Sequence, residues 1–187
     1  MSVILILVAP PCWASKKNLV AYLEELDKFM LNINNSATFQ SKIIDKCRKE
    51  GVTTSLLTQY AQSIVEMKKA QVQFQEKTTP LVDQDIAHLR SLDLRFSEVY
   101  IETARDVKNI LWAAKGKAID YRAIKKINHR FESQLNELQE QITEESNRLY
   151  KNYGMHIKKS WHILDNKIWI ALGVLIIIVV IFCILRG

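Results

Sequence analysis

Residues 168–185 read IWIALGVLIIIVVIFCIL, eighteen positions without one charge. A helix of that length covers about 27 Å, close to the hydrocarbon thickness of a bilayer. It is apolar around its whole circumference, whereas a helix on a soluble core keeps a polar face. The stretch predicts a single C-terminal transmembrane helix, with the rest of the chain a body held at a membrane.

The flanking charges predict which side that body faces. Arg148, Lys151, Lys158, Lys159 and Lys167 precede the stretch against Asp165, and only Arg186 follows it. Lys and Arg are retained on the cytosolic side, so the body is expected in the cytosol and the chain reads as tail-anchored. The opposite topology would need the first 14 residues, MSVILILVAPPCWA, to act as a signal peptide. They have an apolar run but no basic start. Asn34-Asn35-Ser36 is a formal glycosylation triplet, a pattern common by chance. A span dense in Ile and Val with one basic residue after it points to the endoplasmic reticulum or another secretory-pathway membrane.

Five glycines and three prolines in 187 residues argue against a loop-rich or all-β chain. The formal net charge is +6, and the residues beside the span suit the anionic lipid of a cytosolic leaflet. No Lys/Arg run exceeds two residues in the body and no nucleic-acid motif is present, so no nucleic-acid partner is expected. Cys12, Cys47 and Cys183 have neither disulfide-framework nor zinc spacing, which suits a reducing compartment.

Working inward, helical periodicity dominates. Ser15 is a plausible N-cap for a helix to about Ile33, with Leu19, Tyr22, Leu23, Leu26, Phe29, Met30 and Ile33 on one face. Asn34 to Ser36 reads as a break. A shorter helix over about 37–49 would bury Phe39, Ile43, Ile44 and Cys47 and end at Gly51. Thr53 or Thr54 caps the next, to about Lys77, whose seam is Leu57, Tyr60, Ile64, Met67 and Phe74 with Gln71 as its polar position. Thr79 and Pro80 can open a long helix over about 80–115, and a second follows over about 117–153, with Gly116 a turn or a weak point between them.

Little in this pattern suggests chemistry, and no enzyme, cofactor or metal is expected. His88, His129, His156 and His162 form no i,i+4 pair. Ala113 to Lys117, AAKGK, has a Gly-Lys pair but lacks a phosphate loop's first glycine and any preceding strand; it reads as helix surface. The Glu residues around 137–145 read as a solvated face. The membrane-proximal set Lys158, Lys159, Trp161, Lys167 and Trp169 combines cations with interfacial aromatics.

The sharpest pattern is a four-three register through Asn128. Upstream it passes Ile124, Tyr121, Lys117, Ala114, Ile110 and Val107. Downstream it passes Phe131, Leu135, Leu138, Ile142, Glu145, Leu149, Asn152 and His156. The residues assigned to a coiled-coil interface are Ile110, Tyr121, Ile124, Asn128, Phe131, Leu135, Leu138, Ile142 and Leu149. An amide inside such a seam sets register, because a shifted partner leaves it unpaired. This layout resembles a SNARE: a helical N-terminal bundle, a heptad motif with a polar central layer, an aromatic-basic linker and a C-terminal anchor. The resemblance implies membrane fusion in vesicle trafficking. This chain departs from it with Asn at the central layer, Lys117, Glu145, Asn152 and His156 at outer layers, and Gly116 within the motif. The apoptosis regulators share a similar anchor, but their Asn-Trp-Gly-Arg turn is absent.

The expected fold is therefore all-α, an elongated helical bundle or coiled coil with one transmembrane helix. Its divisions are 1–14, a short apolar segment; 15–79, the N-terminal helices; 80–153, the long coiled-coil-forming helices; 154–167, the linker; and 168–185, the anchor. The expected function is a tail-anchored coiled-coil scaffold or tether, with a SNARE-like fusion protein as the alternative. Its expected partners are the membrane and other helical proteins.

Overall fold

The punctuation between apolar runs sets where the chain turns. Thr53 accepts a hydrogen bond from the Leu56 amide at 3.3 Å and caps one helix, and Asp120 accepts from the Ala123 amide at 3.0 Å and caps another. Gly51, Gly116 and Gly154 take positive φ at the helix ends. A computed structural model describes residues 12–155. They form α1 (Cys12–Glu50), α2 (Thr54–Thr78), α3 (Ala87–Ala113) and α4 (Tyr121–Asn152), with a short 3₁₀ turn at Thr79–Leu81. The protein is an all-α bundle, with no strand among the described residues.

Cross-helix contacts define an up-down-up-down arrangement. Lys77 of α2 pairs with Glu25 of α1, Gln71 of α2 bonds Ser97 of α3, and Arg130 of α4 pairs with Asp106 of α3. Leu19 and Leu23 of α1 line a small crevice together with Leu149 and Tyr150 of α4. One hydrophobic cluster runs through all four helices, from Leu19 to Tyr153. Phe29 stacks on Phe74 with ring centroids 4.6 Å apart, and Tyr100 meets Phe131 edge-on at 6.3 Å.

Two stretches depart from what the sequence predicts. Asn34 to Ser36 does not break α1, which runs unbroken for 39 residues. Low helix propensity costs only a few tenths of a kcal/mol per residue. The buried Ile33 and Ala37 on either side, and Ser36 Oγ donating to the Ser63 carbonyl, hold the segment against α2. Phe39, expected in the core, is 44% exposed. The unbroken helix leaves it on the outer face, while Ile43 and Cys47 stay buried.

The second stretch is residues 80–120. α3 does not begin at Pro80. Pro80 sits in the 3₁₀ turn, and the Asp83 carboxylate then accepts the amides of Asp85 and Ile86, each at 3.1 Å, before the helix starts. Nor are Lys115 to Lys117 on a helix surface; they form the α3–α4 turn at Gly116. Among the described residues no helix is long and apolar enough to cross a membrane. The N-terminal segment to residue 11, the linker from His156 and the stretch 168–185 lie outside the described residues, as do Lys158, Lys159, Trp161, Lys167 and Trp169.

Candidate functional site

The register through Asn128 supplies the candidate site, and the turn at 114–120 changes its meaning. Ile110 and its upstream neighbours belong to α3, and Tyr121 onward to α4, which runs back alongside α3. The register is two facing half-seams within one molecule. Ile124, Phe131, Leu135, Leu138 and Leu149 are buried, while Ile110, Tyr121, Asn128 and Ile142 are half-buried. Lys117 is exposed in the turn, so the unfavourable layer expected there does not exist. The interface these residues make is with the other helices of their own bundle.

Glu145 is buried too, and its neighbours account for it. Arg148 donates to it twice, at 2.8 and 2.7 Å, and also to the Asp85 carbonyl at 3.1 Å. Tyr153 donates to the Asp85 carboxylate at 2.5 Å. The Arg148 hydrogen bonds hold the Glu145 carboxyl below its ordinary value. An acid at a seam position is thus part of a polar clasp between α4 and the start of α3.

Three polar rungs cross the interior, of which the sequence had marked only Gln71. Tyr22 of α1 donates to Asp93 of α3 at 2.5 Å. Gln40 of α1 donates to Ser63 of α2 at 2.9 Å and accepts from Tyr100 of α3 at 3.0 Å. Gln71 donates to Ser97 at 2.8 Å. Asp93 is only 4% exposed, and burial pushes its pKa up to about 7. Burial and the neighbouring Asp93 push the Tyr22 hydroxyl well above its ordinary value; burial does the same to Tyr60 and Tyr100. The signal for Asp93 was its place between Leu92 and Phe96 on the apolar face of α3.

Asn128 borders a small cavity of about 90 Å³, together with Gln40, Ile44, Tyr100, Val107 and Phe131. His88 and His129 are exposed. Among the described residues no three His, Cys, Asp or Glu side chains gather to hold a metal ion. In comparisons with family models, curated proteins and solved structures, none matched this chain.

Proposed function

We propose that this protein is a non-catalytic helical scaffold or tether, anchored in an endomembrane through residues 168–185 with its bundle in the cytosol. The observation that carries this reading is the packing of Phe131, Leu135 and Leu138 inside the bundle. A SNARE-like fusion arm needs that seam free to zip with other chains. Here opening it would expose three large apolar side chains, each worth about 1.5–3 kcal/mol of burial. A scaffold needs no opening. It can engage a helical partner through the outer faces of α1 and α2, where Leu31, Phe39, Val65 and Val72 are exposed.

The test is proximity labelling in intact cells from a tag at the N-terminus, comparing the full chain, Phe39→Glu, and a chain ending before Ile168. The expected result is a set of cytosol-facing endomembrane proteins that depends on the anchor and shrinks with Phe39→Glu. Dominant recovery of SNAREs would favour the fusion reading instead. Labelling of lumenal proteins would overturn the topology.

A further inference from the structure

Charge is sorted along this bundle. The end where α1 finishes, α2 begins and α3 turns into α4 comprises residues 42–58 and 105–130. It holds twelve Lys and Arg against four Asp and Glu, whereas the remaining described residues hold ten against fifteen. Three helices contribute. Lys42, Lys46 and Lys49 share the exposed face at the end of α1, and Arg122, Lys125 and Lys126 lie exposed at the start of α4. On α3, Arg105, Lys108 and Trp112 recur at three- and four-residue spacing, which places them on one stripe, and Lys115 follows in the turn.

The acids at this end are few. Asp106 is taken by Arg130, Asp45 lies beside Arg48, Asp120 caps α4, and Glu50 closes α1. Lys42, Lys46, Lys49, Arg105, Lys108, Lys115, Lys117, Arg122, Lys125 and Lys126 have no carboxylate within ion-pair distance among the described residues. Toward the opposite end Glu25 pairs with Lys28 and Lys77, and Glu145 with Arg148. The acidic residues resume just below the basic end, at Glu98 and Glu102.

Trp112 lies within the basic stripe and is 59% exposed, the most exposed of the large apolar side chains described. An indole in water beside cations is suited to one kind of surface, in which a negative layer overlies an apolar one. Amphipathic aromatics settle at the headgroup level, and basic residues near an anionic leaflet add attraction. One indole offers no series of stacking platforms for a nucleic-acid strand.

We propose that this end of the bundle is a docking surface for an anionic lipid bilayer, with Trp112 entering the headgroup layer and the surrounding lysines facing lipid phosphates and carboxylates. α4 is about 48 Å long and leads away from this end toward residue 155. Together with the anchor proposed above, the docking end would bridge two bilayers. That bridging rests on the anchor reading; the docking does not.

The test reconstitutes the full chain in phosphatidylcholine nanodiscs and measures its capture by heavy vesicles. The vesicles are of phosphatidylcholine alone, or of phosphatidylcholine and phosphatidylserine at roughly two to one. The expected result is capture by the anionic vesicles only, lost as salt is raised and the Debye length shrinks. Joint replacement Lys115→Gln, Lys117→Gln, Lys125→Gln and Lys126→Gln should weaken capture by at least about tenfold. Trp112→Ala should weaken it severalfold, and Lys68→Gln with Lys69→Gln should leave it unchanged. These side chains are exposed, and an unaltered melting curve checks that each variant is folded. Equal capture of neutral vesicles, or full capture by the four-lysine variant, overturns the proposal. Displacement of the vesicles by single-stranded RNA at equal charge overturns it in favour of a nucleic-acid surface. Whether the chain stays in the nanodisc through an alkaline wash reports on the anchor alone. If it washes out, the free full chain is assayed on the same vesicles, and docking is still decided.

Discussion

At the scale of single residues, the interior of this bundle is defined by a few buried polar groups. Asp93 carries the clearest consequence. Its folded pKa of about 7 lies above the ordinary 3.8, so the folded state holds the proton more tightly than the unfolded chain. Its contribution to stability is therefore full below the ordinary value and is lost as pH rises toward and through 7. Across that window the loss can reach about 4 kcal/mol. Asp93→Asn keeps an acceptor for Tyr22 and removes the titration. Urea unfolding in neutral detergent should show the wild-type chain losing stability between about pH 5 and about pH 8 relative to Asp93→Asn. Parallel profiles would show that Asp93 does not titrate there. Glu145 has the opposite sign: Arg148 holds its carboxyl low, so its contribution is present at neutral pH and is lost on acidification.

At the scale of elements, each helix is specified by an apolar face and by what stops it. Phe131 and Phe39 separate these roles. Phe131 is buried against Tyr100, so Phe131→Ala should cost about 3–5 kcal/mol. Phe39 is on the outer face, so Phe39→Ala should change stability by less than about 0.5 kcal/mol. A thermal melt of the two variants decides between this placement and a buried Phe39. The α3–α4 turn depends on Gly116, whose φ is +74°, and a Cβ there would meet no other atom within 4 Å. Gly116→Ala should therefore cost only backbone strain, about 1–2 kcal/mol. A much larger drop in melting temperature would mean the turn packs more tightly than this. Thr53, Gly51 and Gly116 were legible as caps and turns because their chemistry is local. Asp83 and Asp120 were not, because Thr79-Pro80 and Gly116 supplied competing start signals close by.

At the scale of the whole molecule, the register through Asn128 folds back on itself. Residues read as one long seam become two neighbouring helices, and one end of the bundle acquires an excess of Lys and Arg. Spin labels at Lys46 and Lys125 should lie close together. Labels at Lys17 and Lys125 should lie nearer the roughly 48 Å that separates the ends of α4. An extended arm, with α4 detached from α1, would give a long and broad Lys46–Lys125 distance instead. Asn128→Leu should raise the melting temperature of the isolated chain, because the half-buried residue borders a small cavity lined by Ile44, Val107 and Phe131. A shift seen only on adding a partner would place Asn128 in an intermolecular layer.

By itself the sequence determined the helical class, many apolar core positions of α1 to α4 though not Leu56, Ile101, Ala104 or Leu111, and the eighteen-residue stretch long enough to span a bilayer. Those properties follow from local spacing and composition, which a linear reading captures. Only the tertiary structure decided that Asn34 to Ser36 stay helical, that Phe39 faces outward and that Glu145 is clasped by Arg148. The same holds for the basic residues from three separate helices that share one end of the bundle with Trp112. Ser36 with Ser63 and Arg148 with Asp85 are contacts between residues far apart in the chain. A helix can carry poor local propensity, or expose an apolar ring, when a neighbouring helix buries the faces that count.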